Sequence, residues 1–92
     1  MTKAYMLINT EIGFESDVVK HIRNLSLGNV KINDVSELYG VYDIIVAMEA
    51  PSIDDIKYAI PKIRKYGNVR NTTTMFAIDD STKAKTSSPT SP

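Results

Sequence analysis

Ninety-two residues, 42% hydrophobic and 24% charged, suffice for one small domain, and eleven Lys+Arg against eleven Asp+Glu leave a formal charge of +0. Neutrality removes the strongly basic footprint of a free-standing nucleic-acid binder. The absence of Cys excludes disulfides, zinc ribbons, iron–sulfur clusters and thiol nucleophiles, and a single His, His21, leaves almost no material for a multi-His metal site or a Ser-His-Asp triad. No apolar run approaches the ~20 residues that span a bilayer. The start, Met1-Thr2-Lys3-Ala4-Tyr5, has no signal-peptide pattern, so a cytoplasmic protein is expected.

Ala4 to Thr10 is a short apolar run ended by Glu11-Ile12-Gly13, which predicts a strand. Phe14, Val18, Val19, Ile22 and Leu25 then recur at helical spacing, with Glu15 and Asp17 in the first turn and Lys20 and Arg23 later, as the helix dipole favours. Gly28-Asn29 is expected to close that helix. Ile32 to Tyr39 is half-polar and predicts a strand near an edge, and Gly40-Val41 a two-residue turn. Tyr42 to Met48 is the most apolar run and predicts a central strand.

Ser52 is a good N-cap, with Asp55 three residues on, and Ile53, Ile56, Ile60 and Ile63 form an apolar helical stripe. Pro61 inside that helix removes one backbone bond and predicts a kinked last turn. Gly67-Asn68 ends the helix, and Val69 to Ile78 is rich in strand formers. Ser81 to Pro92 contains one Ala and no other apolar residue, so residues 80–92 are expected to be a disordered Ser/Thr/Pro tail and residues 3–79 the folded domain. Without Ser81 to Pro92, which carry Lys83 and Lys85, the rest of the chain keeps nine bases against eleven acids, which argues further against direct contact with nucleic acid.

The order β-α-β-β-α-β predicts an α+β, ferredoxin-like plait: a four-stranded antiparallel sheet, first and third strands in the middle, two helices on one face. Both central strands are apolar on both faces. Tyr5 and Leu7 alternate with Met6 and Ile8, and Ile44, Val46 and Met48 with Ile45 and Ala47. Helices cover one face only, so a broad apolar patch remains, and a second copy of the sheet is the simplest cover.

Tyr39-Gly40-Val41-Tyr42-Asp43 is the sharpest local feature. A glycine able to take φ > 0 allows a tight turn and close approach of a ligand, with Asp43 as an anion beside it. The alternative is a hairpin whose Asp bonds neighbouring backbone amides. Thr72-Thr73-Thr74 presents three hydroxyls, though Thr is also simply a good strand former. His21 beside an apolar stripe reads as a packed helix-flank histidine. No glycine-rich phosphate loop exists, since the four Gly lie far apart.

Ala4 to Gly13, Leu38 to Val46 with its Gly-x-Tyr-Asp turn, and Val69 to Thr74 with its Val-Arg-x-Thr-x-Thr strand together resemble the effector-binding (RAM) domain of the leucine-responsive/AsnC transcription regulators, over nearly all of residues 4–78. Those regulators also carry an N-terminal helix-turn-helix domain, so the resemblance is to the stand-alone form. It implies a non-enzymatic amino-acid sensor without cofactor or metal. The sheets would pair into dimers, the dimers would close into an octamer or similar ring, and full-length regulators of the family would be partners. The amino acid would lie between protomers, with Gly40, Val41, Tyr42 and Asp43 on the hairpin side and Thr72 and Thr74 on the strand side. Two other functions fit a small plait: a cofactor-free dimeric enzyme using His21 or Asp43 in a closed pocket, and an assembly or adaptor module without ligand.

Overall fold

The computed structural model describes residues 1–77. The predicted tail and the last residues of the predicted domain lie outside the described residues. The elements are β1 (Thr2–Thr10), α1 (Glu15–Arg23), β2 (Lys31–Glu37), β3 (Ile44–Ala50), α2 (Ile53–Arg64) and β4 (Val69–Phe76). The sheet order is β2-β3-β1-β4, with every neighbouring pair antiparallel. This is the α+β ferredoxin-like arrangement, with β1 and β3 central.

Strand parity decides what is buried. Ala4, Met6 and Ile8 of β1 and Ile44, Val46, Met48 and Ala50 of β3 are all at most 1% exposed. They meet Val18, Val19 and Ile22 of α1 and Ile56, Ala59 and Ile63 of α2 in one core. The apolar stripe of α2 is rotated slightly from expectation: Ile53 is exposed, Ile60 is half-buried, and Ala59 holds a core position.

Ser52 caps α2, its Oγ accepting from the Asp55 backbone N–H at 3.3 Å. The helix continues through Pro61 to Arg64. Gly67 does not end it by a left-handed turn, since the glycines of positive φ among the described residues are Gly13 and Gly28.

Helix α1 is shorter than its periodicity predicts. It stops at Arg23, where the Asn24 N–H is shared between the Lys20 and His21 carbonyls. Leu25 therefore lies beyond the helix, and Gly28, at φ +65°, serves a separate turn. That turn drops Leu27 into the core, a burial that the helical repeat does not anticipate.

Candidate functional site

The link from β2 to β3 is a four-residue loop, 39–42, in place of the expected two-residue turn. It is closed by the Leu38 N–H donating to the Asp43 carbonyl at 2.7 Å. Tyr39 is 108% exposed and Val41 86%, so no described residue covers the loop tip. Gly40 is not in the left-handed region, and a Cβ there would meet no atom within 4 Å. The expected φ > 0 at Gly40 is therefore corrected: a four-residue loop distributes the chain reversal over more bonds and does not demand it.

Asp43 is held on all three sides of its backbone and carboxylate. Its N–H donates to the Ile8 carbonyl at 2.9 Å, and its Oδ2 accepts from the Thr10 N–H at 2.8 Å. Thr10 is buried, so this carboxylate supplies a partner that the end of β1 would otherwise lack. One carboxylate oxygen is thus occupied by the fold, and Oδ1 remains for other contacts.

Tyr42 leans across the face of the sheet that no helix covers. Its hydroxyl lies 3.2 Å from Thr73 Oγ1 on β4. Register explains why Thr73 receives it. Thr73 pairs with Leu7, whereas Thr72 pairs with Ile8 and Thr74 with Met6, which both face the helices. Thr72 and Thr74 are accordingly half-buried on the covered side. The structure brings Tyr42 together with Thr73 and leaves Thr72 and Thr74 on the other side of the strand. Asn9 and Asn71, paired across β1 and β4 and joined Nδ2 to Oδ1 at 3.1 Å, complete a polar margin at this end.

Below that margin the open face is apolar along its centre, with Tyr5, Leu7, Ile45, Ala47 and Met75 in register. None of these is fully buried. The arrangement offers a neutral hydrogen-bonding margin beside an uncovered apolar strip, and it sets no acid–base pair against a nucleophile. His21 is on the helix side of the sheet, its ring stacked on Tyr66 at 4.0 Å between centroids and 14° between planes. Among the described residues no cluster of His, Asp and Glu could hold a metal ion, and no helix is long and apolar enough to cross a membrane.

No family model and no curated protein matches the chain. Solved structures do. FFRP-DM1 is 30% identical over 85% of this chain and 100% of its own, with a TM-score of 0.73. A hypothetical protein from Pyrococcus horikoshii, PHS023, is likewise 30% identical, over 85% of this chain and 90% of its own, with a TM-score of 0.72. AsnC from E. coli shares the fold at 16% identity and a TM-score of 0.73, and 87% of this chain matches 52% of that one. The matches at 30% identity over nearly the whole length of two structures of this size show that the chain belongs to the leucine-responsive/AsnC family and corresponds to its RAM-type domain.

Proposed function

We propose that the chain is a non-enzymatic regulatory module that binds a free amino acid where two protomers meet. The observation that carries the reading is the apolar strip of β1 and β3, half-exposed and bordered at the hairpin end by Tyr42, Thr73, Asn9 and Asn71. A second copy of the sheet would cover the strip. The exposed loop 39–42 would then reach a neighbouring protomer and extend dimers into a ring.

A zwitterion asks for acceptors around its ammonium and donors around its carboxylate. Carbonyls beside Gly40 and Val41 and the remaining Asp43 oxygen, Oδ1, supply the first. Backbone N–H groups of the loop and the hydroxyls of Tyr42 and Thr73 supply the second. Thr73 lies beside Tyr42 and adds a hydroxyl to those of Thr72 and Thr74, the strand-side residues of the sequence reading, which lie half-buried on the other side of the strand. A regulator of the same family that carries its own DNA-reading domain is the partner such a module would influence.

Calorimetric titration with each of the twenty amino acids, alongside light scattering, tests this. Saturable binding by one or a few, in an assembly at least twice the 10.2 kDa protomer mass, is the expected result. A 10 kDa particle that binds none of them would overturn it. One observation favours a second reading: Oδ2 of Asp43 is committed to Thr10, as in a purely structural hairpin. An intact dimer silent toward all twenty would support that assembly module instead.

A further inference from the structure

The helix layer carries a feature the amino-acid reading does not use. Residues 18–33 and 56–77 contain no Asp or Glu, yet they hold Lys20, Arg23, Lys31, Lys57, Lys62, Arg64, Lys65 and Arg70, eight of the nine Lys and Arg in the described residues. A chain of zero formal charge therefore concentrates its cations in two segments, and the fold packs those segments together. Where the end of α1 meets the end of α2 lies a groove of about 470 Å³, lined by His21, Leu25 and Ser26 from one side and Lys62, Lys65 and Tyr66 from the other. A second hollow of about 450 Å³ adjoins it and shares Lys62 and Lys65.

The chemistry of the lining is specific. The stacked His21 and Tyr66 rings and the half-buried Leu25 side chain give flat, weakly polar walls. Lys62 and Lys65 stand on the rim, and among the described residues neither has a carboxylate within salt-bridge distance; the ion pair present there is Arg70 with Glu11. Lys62 Nζ rests over the Tyr58 ring at 4.5 Å, a contact that fixes the ammonium without neutralising it. Beside the rim, Gly67 leaves its surroundings open, with no atom within 4 Å of where a Cβ would stand. Helix C-termini prefer cations, so one or two bases here need no ligand to explain them. The dipole does not account for a groove of small-molecule volume that joins aromatic walls to two uncompensated ammonium groups.

We infer that this groove is a second binding site, for a planar organic anion of about mononucleotide size. The ring system would lie along His21, Tyr66 and Leu25, and the phosphate or carboxylate would lie between Lys62 and Lys65, with the Ser26 hydroxyl in reach of the same ligand. The site is on the opposite side of the sheet from Tyr42 and Thr73, so it stands independently of the amino-acid reading.

The experiment titrates the full chain with adenosine 5′-monophosphate, phenyl phosphate, benzoate and inorganic phosphate by calorimetry, and follows the backbone amides of Leu25, Ser26 and Gly67 by NMR. Saturable binding of at least one ring-bearing anion is expected, with those amides shifting and affinity falling as salt rises. Inorganic phosphate should bind at least tenfold more weakly, because it cannot use the aromatic walls. The double variant Lys62→Gln/Lys65→Gln, with Lys65 exposed and Lys62 half-buried at the surface, should lose tenfold or more in affinity with an unchanged melting midpoint. Tyr66→Leu should weaken the ring-bearing anions and leave inorganic phosphate unaffected. Three results overturn the inference: no saturable binding at millimolar concentration, equal affinity for inorganic phosphate and the aromatic anions, or binding that the double lysine variant retains.

Discussion

The two faces of the central strands are nearly matched in composition and opposite in fate. Ile44 and Ile45 are neighbours in β3, as are Met6 and Leu7 in β1. Ile44 and Met6 are completely buried against the helices, whereas Ile45 and Leu7 remain half-exposed. Hydropathy alone cannot rank these pairs, since each offers similar apolar area to either face. The difference is that α1 and α2 supply a partner for one parity and the described residues supply none for the other. An apolar residue on the open parity adds little to the stability of one protomer and is available to hold two protomers together.

The sharpest way to break that comparison is to remove the same side chain from each parity. Ile44→Ala leaves a cavity in a fully packed core and should cost about 2–5 kcal/mol. At about 4–8 °C per kcal/mol for a domain of this size, the melting midpoint falls by roughly 10 °C or more. Ile45→Ala at high dilution should cost well under half of that. Equal losses in the diluted proteins would show that the open face is already covered within the protomer.

Association supplies the next contrast. Ile45→Asp places a charge in the centre of the apolar strip. The protomer should keep its circular dichroism spectrum, and the proposed sheet-to-sheet dimer should give way to a 10 kDa species in light scattering, because burying an unpaired carboxylate between two sheets costs several kcal/mol. A variant that remains dimeric moves the interface away from this face.

Much of this was legible before the structure. The order of elements, the central position of β1 and β3 and the N-cap at Ser52 follow from periodicity and local chemistry, because each produces its own pattern in the chain. The Thr72-Thr73-Thr74 run carries no such pattern. Three identical residues have no period of two, so only the register with β1 determines that Thr73 faces Tyr42 while its neighbours face the helices. Asn9 and Asn71 were missed for a related reason, since their pairing spans 62 residues of sequence. The early end of α1 escaped because Leu25 fits the helical repeat, while the burial of Leu27, which requires the chain to turn, is a tertiary demand.

Asp43 lies where the two faces meet the hairpin, and its substitution separates structure from binding. Asp43→Ala strands the buried Thr10 N–H and should cost about 1–3 kcal/mol. Asp43→Asn keeps an acceptor for that N–H and should cost less. If Oδ1 also receives the ammonium of an amino acid, Asp43→Asn raises the dissociation constant roughly tenfold or more in the folded fraction, since a charge-assisted acceptor has become a neutral one. Melting curves and ligand isotherms on the two variants distinguish the roles: unchanged affinity in Asp43→Asn confines the residue to holding the turn.

The smallest expected effect tests the loop tip. Gly28 and Gly40 both punctuate turns, but only Gly28 has a positive φ, +65°. Gly28→Ala forces a side chain into the left-handed region and should cost about 1 kcal/mol. At Gly40 the backbone is one that an L-residue adopts, and a Cβ would enter open space. Gly40→Ala should therefore leave the melting midpoint unchanged or raise it slightly, because alanine restricts the unfolded chain by the equivalent of about 0.4–1 kcal/mol. Any requirement for glycine at position 40 must then come from outside the described residues, as through close approach of a ligand or of a neighbouring hairpin. A fall in amino-acid affinity or in oligomer mass with an unchanged midpoint would locate that contact at Gly40. A midpoint lowered as far as in Gly28→Ala would return the glycine to the fold.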